Sequence, residues 1–400
     1  MNKNEFDYRR KTFLLGCTEI TKEVIDTLQN KMTFDGILVF RRSFCSSVYC
    51  NLPVYIYEES VDSIDGLIVD CTHRYYEYGA SEEILIKDGF HPYKDFIDYA
   101  FYLAVVQEKK VIITSGFCHV DDVYRGLIRM HSLSKLFCIY NFSYDVNGAE
   151  KYSNRILNRL KNICDIYIYN CNSNDELNLC ESDLPCRCKR ISIPLIRFFG
   201  IWPQININHN LYDNEYYIPV NGFPDGAFIG GDLEINKRIQ SGYNCNQIKN
   251  ELLSPSFFQY DFLKRHIEKA FRHMEYSERE STIKISQYVK SNYQKMRLFK
   301  DYRHIDTPIV KEYIRQILLL LNLEDYIPSI NCIDQIEEIH EYTEMPVYPS
   351  VAQHLKLEWA NAETLYCVRS WNGSKYVKFE EYIDWYYAYS TSASELKKYW

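Results

Sequence analysis

Apolar residues recur along the chain in two alternating rhythms. Phe13-Leu14-Leu15 is a short continuous apolar run that ends in Gly16-Cys17, and Ile20, Val24, Ile25 and Leu28 follow at the spacing of one helix face. Two more strand-like runs come next, Ile37 to Phe40 and Asp65-Gly66-Leu67-Ile68-Val69-Asp70. Further on, the same order repeats. Val111-Ile112-Ile113 leads through Thr114-Ser115-Gly116-Phe117-Cys118-His119 into a helix carrying Val120, Val123, Leu127 and Ile128. The runs Leu136 to Tyr140 and Cys164-Asp165-Ile166-Tyr167-Ile168-Tyr169 complete it. Cys17 and Asp65 are 48 positions apart and Cys118 and Asp165 are 47; Cys17 to Leu38 is 21 and Cys118 to Phe137 is 19. Near-continuous apolar strands separated by amphipathic helices are the pattern of a parallel sheet covered on both faces. The expected fold is α/β: two repeated βαβ-type units with parallel sheet, followed by a mainly helical C-terminal region. In such sheets ligands bind beyond the carboxyl ends of the strands, where both glycine-cysteine turns fall.

Between Pro185 and Gly242 proline and glycine become denser, in IPLIRFFGIWPQI and IPVNGFPDGAFIGGD, as expected of loops that rim a pocket. From Pro255 the periodicity is helical over Phe257 to Met274, Glu278 to Tyr293 and Pro308 to Leu321. Asn372-Gly373 sits between alternating segments as a hairpin turn, and Tyr382, Trp385 and Tyr386 mark an aromatic closing helix. These shifts divide the chain into an N-terminal α/β unit (1–105), a second α/β unit with the Pro/Gly-rich loops (106–255), and a mainly helical region with a short hairpin (256–400).

Composition narrows the function. With 46 Lys and Arg against 54 Asp and Glu, the formal charge of −8 lacks the broad positive field of a nucleic-acid binder. No apolar run approaches the ~20 residues of a membrane span, and the N-terminus shows no signal-peptide core. The 14 cysteines therefore read as reduced thiols of a cytoplasmic protein. The 36 tyrosines suit polar-rimmed sugar or nucleotide pockets. There is no Walker A loop, GxGxxG, HExxH, GxSxG or kinase set, which argues against the enzyme classes those motifs serve.

Cys118 carries the first positive signal. A cysteine in the first turn of a helix feels the positive end of the macrodipole and its free N–H groups, which favour thiolate and can hold an oxyanion or phosphate. The alternative is a small buried residue in a tight turn; Cys17 has the same setting and the same alternative. Cys164, Cys171, Cys180, Cys186 and Cys188 cluster, but only Cys186 and Cys188 are closely spaced and no histidine intervenes, so free thiols are expected rather than a metal. Gly226, Gly230, Gly231 and Asp232 are either a phosphate loop or a turn with Asp232 as helix cap, the cap being favoured. Arg279, Arg297, Arg303 and His304 lie at helix ends, where arginine suits phosphate and a loop histidine suits general-base work.

Taken in order, these segments resemble the WcbI-type capsular polysaccharide biosynthesis enzymes over roughly 107–357; the first hundred residues lie outside the resemblance. The family's strand followed by Gly-Asn-Cys-Gln is matched by Gly116-Phe117-Cys118-His119, with Phe and His replacing Asn and Gln. Its later strand is matched by Cys164 to Tyr169, and its Ile-Pro, aromatic, Gly and Pro run by Ile193 to Pro203. Its Arg-Glu helix and Leu-Phe, Asn-His-Pro segment resemble Arg279-Glu280 and Leu298-Phe299 followed by Arg303-His304-Ile305. Setting Thr307-Pro308 on the family's His-Pro is the other alignment; the distance from Phe299 favours His304. The resemblance implies a coenzyme A-dependent acyl transferase acting on a sugar hydroxyl. Cys118 and His304 would then be catalytic, and Gly116, His119, Arg279 and Arg303 would bind coenzyme A or acyl-CoA, which is a substrate. The partner would be a sugar or nucleotide-sugar acceptor, with no metal, nucleic acid or membrane insertion. The other readings are a carbohydrate- or nucleotide-binding protein without turnover and an esterase-like hydrolase.

Overall fold

The computed structural model describes residues 10–28, 30–41, 46–72, 78–92, 94–142, 160–171, 179, 181–205, 231–338, 344–370 and 373–391. Cys180, Gly226, Gly230, Asn372 and much of the Pro/Gly-rich stretch lie outside these residues. The chain divides into two compact units. One holds Met1–Gly116, Ser132–Ile168 and Asp175–Arg190; the other holds Phe117–His131, Tyr169–Asn174 and Ile191–Trp400.

The first unit contains β1 (Thr12–Leu15), α1 (Glu19–Leu28), β2 (Gly36–Val39), β3 (Val48–Tyr49), β4 (Leu52–Ile56), α2 (Tyr57–Ser60), β5 (Leu67–Asp70), α3 (Tyr78–Lys87), β6 (Phe96–Asp98) and α4 (Tyr99–Val106). Its six strands form a sheet in the order β3-β4-β2-β1-β5-β6. Every neighbour is parallel except the β3–β4 hairpin at one edge. Leu14, Leu15, Ile37, Leu38, Leu67 and Ile68 are fully buried, and α1 turns inward Ile20, Val24 and Leu28 of the face its periodicity marks. Burying both faces of the sheet explains why these strands read as unbroken apolar runs.

The second sheet is built from β7 (Lys110–Ser115), β8 (Phe137–Asn141), β9 (Ile166–Asn170) and β10 (Lys189–Ile193), in the order β10-β9-β7-β8. β7 and β8 run parallel, with Lys110 opposite Phe137 and Thr114 opposite Asn141. In each sheet the lead strand of the repeat has the second strand on one side and the third on the other: β2-β1-β5 and β8-β7-β9. The repeated spacing is thus a repeated topology. Both lead strands end in a glycine with positive φ, 104° at Gly16 and 155° at Gly116. Such angles turn the chain from strand to helix within a few residues and are open to glycine at little cost.

The second unit is mainly helical. It holds α5 (Cys118–Arg129), α6 (Leu233–Gln240), α7 (Cys245–Leu252), α8 (Tyr260–Ser277), α9 (Ser286–Asn292), α10 (Thr307–Leu320), α11 (Pro349–Leu355), the antiparallel pair β11 (Tyr366–Ser370) and β12 (Gly373–Val377), and α12 (Phe379–Thr391). Asp232 caps α6, its carboxylate accepting from the N–H groups of Glu234 and Ile235, both at 3.0 Å. Where the periodicity predicts one helix from Glu278 to Tyr293, the chain breaks instead between Ser277 and Ser286. The cause is Glu278, whose buried carboxylate accepts from the N–H of Ile285 at 2.6 Å, the N–H of Ser286 at 2.9 Å and the Ser286 hydroxyl. An anion at the start of α9 satisfies donors that a continuous helix would have used internally.

α5 packs flat against α10. A Cβ built on Gly126 would press on Ile314 Cδ1 and lie 3.4 Å from Val310 and 3.5 Å from Ile333. Gly126→Leu is therefore expected to overpack this contact and cost about 1–3 kcal/mol, read as a lower midpoint in urea unfolding. A midpoint equal to the wild type's would show that α5 and α10 are not in close contact.

Candidate functional site

Within the second unit, Cys118 is the first residue of α5. The turn before it is held by Asn170, whose Oδ1 accepts from the N–H of Phe117 at 2.8 Å and whose side chain is fully buried. Phe117 itself offers no side-chain cap to the helix, and its carbonyl accepts from the N–H groups of Val120 at 2.9 Å and Asp121 at 3.2 Å.

His304 sits on a tight hairpin that precedes α10. An antiparallel bridge joins Phe299 to Ile305, the N–H of Lys300 donates to the carbonyl of His304 at 2.9 Å, and the N–H of Asp306 donates to that of Leu298 at 2.8 Å. Asp301 organises the tip. Its Oδ1 accepts from the N–H groups of Arg303 at 2.7 Å and His304 at 3.1 Å, and its Oδ2 accepts from His304 Nδ1 at 2.5 Å. The hairpin is anchored by Phe299 stacked on Phe198 at 4.9 Å and by the Phe198 N–H donating to the Tyr302 carbonyl at 2.8 Å. Arg297 closes its base, donating to Asp306 at 2.8 Å and pairing with Glu344 at 2.8 Å.

Cys118 is a near neighbour of His304, and its sulfur contributes to the rise in the imidazole's pKa. Nδ1 is committed to Asp301, so a hydrogen bond to the thiol would run through Nε2. Cysteine, histidine and aspartate are thus neighbours, with Asp301 fully buried and His304 6% exposed. Burial alone would depress the imidazole, but the charge and hydrogen bond of Asp301, reinforced by Cys118, outweigh it and raise His304 to about 10. Burial likewise works against ionised Asp301, and the facing imidazolium overcomes it and holds the carboxyl below its usual range. At neutral pH the histidine is the doubly protonated imidazolium, and the aspartate fixes its direction.

The remaining residues singled out from the sequence are placed differently. His119 points inward and is fully buried. Its Nε2 donates to the Arg303 carbonyl at 2.8 Å, while Nδ1 accepts from the N–H of Ile196 at 3.4 Å. Burial lowers its pKa, so it is a neutral strut that ties the His304 hairpin to the chain after β10. Arg303 lies with its guanidinium 5.3 Å from the Tyr302 ring centre. Arg279 is exposed after the end of α8, 5.9 Å from the Tyr276 ring centre. Gly116 supplies the positive-φ turn. Asp301 and Asn170 were not singled out. The aspartate three residues before His304 is the one local signal that could have found it, whereas Asn170 is 53 positions from the backbone group it holds.

A cleft of 590 Å³ lies elsewhere in the same unit, between α10 and the segments around Tyr288, Met296 and Ile330; neither Cys118 nor His304 lines it. Cys17 also precedes a helix, but its turn is closed by threonines, Thr21 Oγ1 donating to the Gly16 carbonyl and Thr18 Oγ1 to the Cys71 carbonyl at 2.5 and 2.7 Å. Beyond it, buried Asp70, raised to about 6 by desolvation, accepts from Thr72 and Ser81. Among the described residues no three His, Cys, Asp or Glu side chains form a metal cluster, and no helix is long and apolar enough to cross a membrane.

Residues 176–326, which carry Asp301 and His304, match the family model of the polysaccharide biosynthesis enzyme WcbI. Over this stretch the protein is WcbI-like. A solved WcbI structure has the same fold, with a TM-score of 0.53 at 14% identity, covering 70% of this chain and 89% of that one. That structure is described as a novel polysaccharide biosynthesis enzyme, in native form without a disulfide bond between coenzyme A and one of its cysteines. No curated protein matches the chain. The matches make the chain similar to the WcbI type in its central segment and in fold, the family that the ordered motifs of the sequence resemble. Cys118 lies before the segment matched to WcbI and reaches it only through the fold.

Proposed function

We propose that the protein transfers an acyl group from coenzyme A to a sugar hydroxyl through Cys118. The observation that supports this most is the Asp301–His304 pair beside Cys118 at the opening of α5. The WcbI structure, whose description names coenzyme A and a form without its disulfide to a cysteine, suggests the donor. The sulfur, as thiolate beside the imidazolium, attacks the thioester carbonyl, and the developing oxyanion faces the first-turn N–H groups of α5. Collapse expels the coenzyme A thiolate, which takes the proton from His304. The neutral imidazole then accepts the proton of the sugar hydroxyl as it attacks the acyl-cysteine, and the thiolate–imidazolium pair is restored. Asp301 holds the ring and steadies its charge throughout. A cytoplasmic setting, where acyl-CoA is supplied and thiols stay reduced, suits this chemistry.

The test is to incubate the protein with acetyl-CoA and a panel of sugars and nucleotide sugars, separating free coenzyme A and products by chromatography. Release of coenzyme A that depends on an acceptor, with an acetylated sugar as product, is the expected result. Release without acceptor would make the protein a hydrolase, and binding without release a non-catalytic binder.

A further inference from the structure

The cysteine cluster has no part in that chemistry, yet two of its members meet. Cys164 stands two residues before β9 and Cys188 immediately before β10, and these strands are neighbours in the second sheet. The N–H of Lys189 donates to the carbonyl of Asp165 at 2.9 Å, which sets the two cysteines side by side, each one residue before that bonded pair. Their sulfurs are 3.6 Å apart. The Cys188 thiol donates to Cys164, which is fully buried and itself donates to the Ile166 carbonyl at 3.2 Å, whereas Cys188 is partly exposed.

We propose that Cys164 and Cys188 are a redox-active dithiol, which a small-molecule disulfide converts to a disulfide bond linking the starts of β9 and β10. The division of labour follows from the surroundings. Its contact with Cys164, aided by the guanidiniums of Arg190 and Arg187, lowers the pKa of Cys188 against the opposing effects of partial burial and the Asp165 carboxylate. Asp165 pairs with Arg187 at 3.5 Å and keeps that cation close. Cys164 is pushed the other way, by its hydrogen bond with Cys188 and by burial. Cys188 is therefore the attacking thiolate and Cys164 the resolving thiol. Cys188 displaces one thiolate from the small disulfide and becomes a mixed disulfide. Cys164 gives up its proton, attacks the Cys188 sulfur and expels the second thiolate. Two electrons pass to the small molecule, and the two cysteine protons end on its two released thiols. The sulfurs need approach only from contact to bonding distance, about 2.05 Å.

The reduced full-length protein is treated with glutathione disulfide, quenched with iodoacetamide and cleaved after glutamate without reduction. This places Cys164 in fragment 151–176 and Cys188 in fragment 182–215. The expected result is a linked pair of fragments whose fragmentation spectrum locates the bond at Cys164 and Cys188. In Cys164→Ser the reaction should stop at a glutathione adduct on Cys188, and in Cys188→Ser both link and adduct should vanish. Recovery of Cys164 and Cys188 as alkylated thiols in the wild-type protein would overturn the proposal. So would a bond that runs instead through Cys171 or Cys186.

Discussion

Cys118→Ser is expected to cut acyl transfer to a sugar by at least about 10³-fold while the protein stays folded. A serine hydroxyl keeps the volume and the helix start, so α5 should form as before. What it lacks is ready ionisation, because a hydroxyl beside a protonated imidazole has no base to activate it. Two measurements separate a nucleophile from a shaping role. With acetyl-CoA and no acceptor, intact-mass spectrometry should find one acetyl group on the wild-type protein, mapped to Cys118, and none on the variant. Steady-state assays should show the loss in kcat. If Cys118→Ser kept activity within about tenfold of wild type, far less than loss of a nucleophile costs, the thiol would only shape the turn. His304 would then act directly on the sugar hydroxyl.

Asp301→Asn should follow with a loss of roughly 10⁴-fold, the size seen when the carboxylate of a catalytic triad is neutralised. The amide removes the charge that holds the proton on His304 and can present its N–H₂ to the ring, favouring the wrong tautomer. The backbone N–H groups of Arg303 and His304 keep an acceptor in the amide oxygen, so the hairpin should persist. The pH dependence of stability gives a second readout. His304 is raised from 6.5 to about 10 in the folded protein. Its contribution is therefore fully present below pH 6.5, declines as pH rises, and is gone above about 10. Asp301 is lowered, so its contribution is present above the usual carboxylate range and is lost as pH falls through its folded value. The wild-type melting temperature should thus fall between pH 7 and 10 through this pair, and Asp301→Asn should show a shallower fall. Parallel wild-type and variant curves over that window would refute the ion pair.

Several parts of this protein were legible in its residues because they rest on local physics. The apolar runs at Phe13, Ile37, Leu67, Val111 and Leu136 became strands, and the matched spacings around Cys17 and Cys118 became matched strand orders. Asp232 before Leu233 became a helix cap. Each depends on neighbours within a few residues, or on a period that burial of a two-sided sheet imposes on the sequence. The single helix expected from Glu278 to Tyr293 failed for the opposite reason. Periodicity carries no information about a glutamate that leaves its own helix to cap the next one.

The candidate site shows the same division. The residues themselves determined that a cysteine would follow a strand and glycine into a helix start, and that a histidine would lie just before a proline-opened helix. Only the tertiary structure brought Cys118 and His304, 186 positions apart, together as neighbours. It also decided that His119 would serve as a buried strut, that Arg279 would stand exposed after α8, and that Cys188 would meet Cys164. A side chain's class and local conformation follow from its own stretch of chain. Its protonation and its partner depend on burial and on charges brought in from distant segments, as Asp301 does for His304, and those exist only once the chain has folded.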